Sequence, residues 1–173
     1  MNRSLLTHIL LLLPATAALA ASIVCPADAP SNVKLAAQEV RRYVYLRTGT
    51  LLPIAAKAGT IELRVDKALQ PQQYRLQSDG QRLTITGGDP VAVLYGAYAF
   101  AEKLGVRFYL HGDVVPDERI RFALPVLDET RQPLFALRGV NPWGSHPFGF
   151  DAWSADDYKA IFTQLTKLRM NFL

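Results

Sequence analysis

The sequence predicts an α+β fold, in which a small sheet carries two packed helices, followed by the first βαβ unit of a truncated (β/α)8 barrel. Two stretches with apolar residues at spacings of three and four indicate helices, and short stretches of alternating apolar and polar residues indicate strands. From about residue 134 the order becomes apolar run, loop, helix and apolar run, which is one βαβ unit. We therefore divide the chain into a signal peptide at 1–20, an accessory α+β domain at 22–133 and a barrel start at 134–173.

The first twenty residues are typical of a cleaved secretory signal. Arg3 precedes the short apolar run "ILLLLPATAALA", and Ala18-Leu19-Ala20 fits the small-x-small cleavage rule. Pro14 interrupts that run, which is too short for a membrane span. We expect an exported protein, periplasmic or extracellular, with no membrane span and a mature chain that starts near Ala21.

The composition limits the classes of partner and cofactor that we expect the chain to bind. The chain has 19 Lys and Arg against 15 Asp and Glu, scattered rather than clustered. A nucleic-acid-binding protein would concentrate its basic residues, so we expect no nucleic-acid partner. The single cysteine, Cys25, excludes an internal disulfide, and we expect it to be inert in a flexible N-terminal lead, with lipidation as the less favoured alternative. His8 and His111 stand alone, so we expect no metal and no other cofactor.

The first helix is expected at 32–48, because Ser31 can cap it and Gly49 suits its end. Alternation then predicts strands at 60–65, 73–78 and 82–87. Asp79-Gly80, between the last two, is typical of a hairpin turn. The accessory domain therefore begins with one helix and a small sheet that includes an antiparallel hairpin.

Gly87-Gly88 predicts a strand-to-helix turn rather than a phosphate cradle, because no G-x-x-x-x-G-K pattern is present. Asp89 is expected to cap the second helix, and Pro90 to be its first residue. Another short strand is expected at 106–110. Loops and short strands should then fill 111–133, which contains three prolines.

The second unit is expected to begin with a strand at 134–140, "LFALRGV". A loop at 141–153 follows, then a helix that Ser154 starts through the S-x-x-D pattern, then a strand at 170–173. Ligands of parallel sheets bind at the C-terminal ends of the strands, so the loop should face a ligand. A whole barrel needs about 250 residues, far more than follow residue 134, so we expect the sequence to be truncated.

The order of elements resembles the accessory N-terminal domain and barrel start of bacterial beta-N-acetylhexosaminidases and alpha-glucuronidases. "LYGAYAFAEKLGVRFY" is similar to the helix and strand before the barrel, "LRGVN" to barrel strand one, and "DDYKAIFTQLTKLRMNFL" to the first barrel helix running into strand two. The resemblance covers about residues 32–173. In the hexosaminidases an acidic residue follows the Arg-Gly pair by a few positions, whereas Asn141 and Pro142 stand here, which leaves hexosaminides and uronic-acid-containing glycans equally open.

The resemblance implies an exported glycoside hydrolase acting on O-glycosidic bonds of an oligosaccharide or polysaccharide. Its catalytic carboxylates would come from later barrel strands, so the catalytic residues are unknown and the fragment should be inactive alone. A non-catalytic carbohydrate-binding or scaffold domain is the alternative function.

Three residues are the candidates for substrate binding. By the resemblance Arg138 contacts sugar hydroxyls, and a guanidinium fork also suits a uronate carboxylate; the alternative is a structural ion pair. Trp143 can stack on a sugar ring or pack between loop and barrel. His146 can bond to substrate or to its own loop. The adjacent acids Asp156 and Asp157 are expected to stabilise a helix N-terminus rather than to catalyse.

Overall fold

The computed structural model describes residues 21–141 and 152–173, so the predicted signal peptide lies outside the described residues. The α+β class is confirmed, with helices and a mixed sheet. The elements are, in chain order, β1 (Ile23–Val24), α1 (Ser31–Thr48), β2 (Ile54–Ala55), β3 (Ile61–Val65), β4 (Tyr74–Asp79), β5 (Leu83–Gly87), α2 (Pro90–Lys103), β6 (Arg107–Tyr109), β7 (Gly112–Val114), β8 (Val126–Arg131) and α3 (Ala155–Lys167).

The main sheet has six strands in the order β2-β1-β3-β5-β4-β8. Strands β2, β1, β3 and β5 run parallel, and β4 is antiparallel to both β5 and β8. The expected hairpin joins β4 to β5, and Gly80 at its turn has a φ of 88°, which glycine adopts without strain. A separate two-stranded hairpin, β6-β7, follows α2.

The core lies between the sheet and the two helices. Alternate strand residues are buried there, as are most residues of α2 and one face of α1. Gly96 lets α2 lie close to the sheet, because a Cβ at this position would come within 2.6 Å of Ile85 Cγ2. The expected start of α2 is confirmed: the Asp89 carboxylate accepts a hydrogen bond from the Ala92 amide at 2.7 Å, and Pro90 is the first helical residue.

Two expectations near the N-terminus are wrong. Cys25 does not lie in a flexible lead, because β1 pairs between β2 and β3 and leaves Cys25 only 7% exposed. A strand of two residues is too short to show alternation, so its sequence gives no periodic signal. Ser31 does not cap α1 either. Pro30 is the N-cap, without a side-chain hydrogen bond, and Ser31 is already helical.

The unit after residue 134 is only partly as predicted. Regular strands at 134–140 and 170–173 are not formed; a single parallel bridge joins Gly139 to Phe172. The Phe172 amide donates to Arg138 O at 3.0 Å, and the Val140 amide donates to Phe172 O at 3.3 Å. The carbonyls of Phe135 and Ala136 accept from the Arg138 guanidinium, which keeps them out of a strand ladder. The parallel sense is as expected for a βαβ unit.

Helix α3, between the two bridged segments, begins as the sequence predicts. The Ser154 hydroxyl accepts from the Asp157 amide at 3.3 Å, and the Asp157 carboxylate accepts from the Ser154 amide at 2.8 Å. Asp156 pairs with Lys159 at 2.9 Å. Both acids therefore stabilise the first turn of the helix. Within the described residues, no helix combines the length and the apolar character needed to cross a membrane.

Candidate functional site

A cleft of about 600 Å³ lies where α2, β4 and β8 meet the segments around Arg138 and Arg169. Helix α2 and strands β4 and β8 form one side of it, and residues 132–138 and 168–169 form the other. The lining residues are Tyr74, Ala99, Glu102, Lys103, Arg107, Glu129, Arg131, Gln132, Pro133, Arg138, Leu168 and Arg169.

The cleft carries a surplus of positive charge. Its two carboxylates are both ion-paired, Glu129 with Lys103 at 2.5 Å and Glu102 with Arg169. Three further guanidinium groups line the cleft, those of Arg107, Arg131 and Arg138. The arrangement therefore suits an anionic or hydroxyl-rich ligand.

The guanidinium of Arg138 lies in this cleft, but protein acceptors hold it. Its Nε donates to Arg169 O at 2.8 Å, and one terminal nitrogen donates to Gln72 Oε1 at 2.7 Å. The other terminal nitrogen donates to the carbonyls of Phe135 and Ala136. The Tyr95 ring centroid is 6.0 Å from the guanidinium carbon. Arg138 therefore connects the loop that contains Gln72 to the segments around residues 135 and 169, and its contact with a sugar stays a prediction.

Gln72 and Asn171 position this arginine, and sequence reasoning missed both. The backbone amide of Gln72 donates to the Asp89 carboxylate at 2.8 Å. The residue that caps α2 therefore also fixes the loop that presents the Gln72 side chain. Asn171 Oδ1 accepts from the Arg138 amide at 2.9 Å, and Asn171 Nδ2 donates to Ala136 O at 2.8 Å. A polar Asn inside the apolar run 170–173 was the one available signal.

The carboxylates of the cleft do not have the environment of a general acid. The hydrogen bond from Lys103 holds the pKa of Glu129 below its usual value, which keeps this carboxyl ionised. A glycosidase acid needs a raised pKa to hold its proton at neutral pH. Glu102 is held by Arg169. Both carboxylates that line the described part of the cleft are thus paired with cations.

Trp143 and His146, the other two predicted substrate contacts, lie outside the described residues. Their proposed stacking and hydrogen-bonding roles remain predictions. Across residues 21–141 and 152–173, no three His, Cys, Asp or Glu side chains are grouped so that they could hold a metal ion.

A second polar cluster joins α3 to β7. Lys167 Nζ lies 2.8 Å from both carboxylate oxygens of Asp113, and the Tyr43 hydroxyl donates to Asp113 at 2.7 Å. Lys167 is only 3% exposed. Burial and the bond to Asp113 raise the pKa of Tyr43 far above its usual value, so its hydroxyl remains a donor. This cluster joins α3 to α1 and β7.

No protein-family model matches the sequence, and no curated protein matches it significantly. The solved structure of a 4-O-methyl-alpha-glucuronidase of family GH115, with specificity for decorated arabinogalactans, matches this chain with a TM-score of 0.64 and 18% sequence identity. The match covers 88% of this chain and 24% of the glucuronidase, so the chain spans about a quarter of that enzyme.

Two beta-hexosaminidases are more distant. A mutant Streptomyces plicatus enzyme in complex with its product GlcNAc matches with a TM-score of 0.46 and 22% identity, over 68% of this chain and 23% of that one. The GH20 beta-N-acetylhexosaminidase from Streptomyces coelicolor matches with a TM-score of 0.45 and 24% identity over the same shares. Likeness at these TM-scores is too weak to support a structural conclusion. The neighbours belong to the two groups that the sequence resembles, and the glucuronidase shows that this chain has the fold of a part of a glycoside hydrolase.

Proposed function

We propose that this chain is part of an exported glycoside hydrolase that acts on O-glycosidic bonds of a glycan containing hexosaminide or uronic acid units. The observation that carries the proposal is the fold shared with the 4-O-methyl-alpha-glucuronidase over 88% of the chain. Fold alone does not fix activity, so the substrate and the reaction are parts of the proposal.

In this proposal residues 22–133 are an accessory domain and residues 134–173 begin the catalytic barrel. The single parallel bridge between Gly139 and Phe172, on either side of α3, supports the second part, because parallel pairing of the segments that flank a helix is the arrangement that recurs in such barrels. Arg138, Trp143 and His146 would lie at the ligand-facing end of the first barrel strand, as substrate contacts. The residues that cleave the bond would be supplied by later barrel strands.

The experiment compares the 173-residue chain with the complete product of its gene. Both are purified and assayed against an aryl beta-N-acetylglucosaminide, an aryl alpha-glucuronide and a glucuronate-decorated arabinogalactan. We expect hydrolysis of one of these by the complete product and none by the 173-residue chain, because both carboxylates of the described cleft are engaged in ion pairs. Hydrolysis by the 173-residue chain would contradict the assignment of the catalytic residues. Glycan binding without hydrolysis by the complete product would favour a non-catalytic carbohydrate-binding protein.

A further inference from the structure

We propose that the cleft between α2, β8 and residues 132–138 binds a carboxylate-bearing sugar of a glycan chain. This binding site would be separate from the site of bond cleavage. The choice of a glycan rests on the proposed function; the choice of an anion rests on the charges of the cleft. Arg107 and Arg131 are the residues assigned to recognise the carboxylate.

Two ion pairs in the cleft are already made. Lys103 and Glu129 neutralise each other, and Arg169 and Glu102 do the same. Arg107 donates to two backbone carbonyls, those of Glu102 at 3.0 Å and Val106 at 2.8 Å, which satisfy donors without cancelling the charge.

Arg131 and Arg138 also contribute to the surplus of positive charge in the cleft. Arg131 lies 3.6 Å from a Glu129 oxygen, while Glu129 already accepts from Lys103 at 2.5 Å, and the Arg131 side chain is 67% exposed. Arg138 bonds only to uncharged oxygens. Glu129 is therefore shared by Lys103 and Arg131. Among the described residues the cleft is lined by five cations and two carboxylates, a surplus of three positive charges (5 − 2). A carboxylate that enters it gains charge-assisted hydrogen bonds, and the guanidinium fork fits both of its oxygens.

The shape of the cleft favours a sugar over a bare anion. Its volume of about 600 Å³ is typical of small-molecule sites and far larger than an inorganic anion requires. Pro133, Leu168 and Ala99 supply apolar wall beside the cations, against which the apolar face of a sugar ring can pack.

The wall of the cleft also contains a hydrogen-bond donor without an acceptor. Arg169 Nε is buried and has no hydrogen-bond partner among the described residues, although the terminal nitrogen of the same guanidinium pairs with Glu102. Buried donors are nearly always paired in folded proteins. A carboxylate bound beside Arg169 would supply an acceptor after a small rotation of the guanidinium.

The test measures binding of defined sugars to the 173-residue chain by titration calorimetry. The probes are a galacturonate trisaccharide, glucose as the neutral sugar, glucose 6-sulfate as a sulfated sugar, and sodium sulfate. The variants are Arg131→Gln and Arg107→Gln, and the control is Arg82→Gln, an exposed arginine of the β4-β5 hairpin outside this cleft. Circular dichroism confirms that each variant is folded.

We expect the uronide to bind and glucose not to bind. Each cleft variant should weaken uronide binding about tenfold, the usual effect of one charge-assisted hydrogen bond, while Arg82→Gln leaves it unchanged. Binding should also weaken as salt is added.

Three results would overturn the proposal: no uronide binding, equal affinities in the two cleft variants and the wild type, or tighter binding of either sulfate probe than of the uronide. The glycosidase assay separates this proposal from the proposed function. Hydrolysis without uronide binding would contradict only the proposed cleft site. Uronide binding without hydrolysis would contradict only the proposed hydrolase function.

Discussion

At the residue scale, the buried pair between Lys167 and Asp113 should contribute most among the described ion pairs, since the Lys167 side chain is 3% exposed and that of Asp113 12%. Lys167→Met keeps the length of the side chain and leaves a buried carboxylate without its main partner. Breaking a buried pair costs about 3–5 kcal/mol, and we expect the lower end because Tyr43 still donates to Asp113. Urea unfolding measures the free energy of unfolding.

The matched control is Lys159→Met, which removes a pair whose side chains are 76% and 89% exposed. Exposed helix pairs contribute about 0.3–0.5 kcal/mol, so this variant should unfold almost as the wild type does. Equal losses in the two variants would show that Lys167 is not buried against Asp113.

The same carboxylate makes stability depend on pH. Burial acts to raise the pKa of Asp113, but hydrogen bonds from Lys167 and Tyr43 outweigh it and hold the pKa below its usual value. The contribution of Asp113 is therefore complete above its unfolded pKa of about 3.9 and is lost as the pH falls through the lower folded pKa. Urea midpoints measured from neutral pH downward should fall more steeply below about pH 4 in the wild type than in Asp113→Asn. Parallel curves would contradict this.

Cys25 tests the placement of β1. Its thiol is buried, and burial raises its pKa, so the reactive thiolate is scarce and shielded. Alkylation of the native chain by iodoacetamide should be slower by about two orders of magnitude than in denaturing urea, because β1 must first leave the sheet. The rate is followed by mass spectrometry. Native and unfolded chains that react equally fast would place Cys25 outside the core.

At the element scale, most of the longer elements were predicted from the period of their apolar residues, but the six-residue strand β8, within the segment expected to hold loops and short strands, was not predicted individually. Helix α2 was predicted with its cap, and β3, β4 and β5 were predicted to within about one residue, because burial of alternate residues leaves a readable pattern. The two-residue strands β1 and β2 were missed for the opposite reason. Their strand identity comes from pairing with β3 and with each other, a tertiary effect that local sequence does not record.

Gly139 decides whether the segments before and after α3 can pair. A Cβ at this position would lie 1.9 Å from Phe172 O, a backbone atom that cannot move aside alone. Gly139→Ala should therefore break the bridge and make the Phe172 amide exchange with solvent faster, while amides of β3 and β5 remain protected. Hydrogen exchange measured by mass spectrometry checks this. Leu137→Ala, at a neighbouring side chain that is 65% exposed, serves as the control and should change nothing.

At the scale of the whole molecule, the cleft shows why the candidate site was only partly predictable. Arg138 was proposed from the resemblance of "LRGVN" to a first barrel strand, but its partner Gln72 and the cations Arg107 and Arg131 come from three other parts of the chain. Only the packing of β8 and α2 against residues 132–138 brings them together. The spacing of these residues along the sequence does not indicate that they lie close together, so the positively charged cleft became visible only in the structure.

Side-chain contacts join residues 22–133 to residues 134–173. They include the pairs Gln72 with Arg138, Glu102 with Arg169, and Asp113 with Lys167. Arg138→Ala removes the first of these and three bonds to the backbone carbonyls of Phe135, Ala136 and Arg169, so residues 132–141 should open more often while residues 22–131 stay folded. At about 1 kcal/mol for each bond, proteolytic cleavage in this segment should accelerate about tenfold or more. Arg131→Gln, an exposed cleft residue, should leave the cleavage rate unchanged. If Arg138 only contacted sugar, its variant too would be cleaved at the wild-type rate, so this measurement separates the structural role from the predicted substrate role.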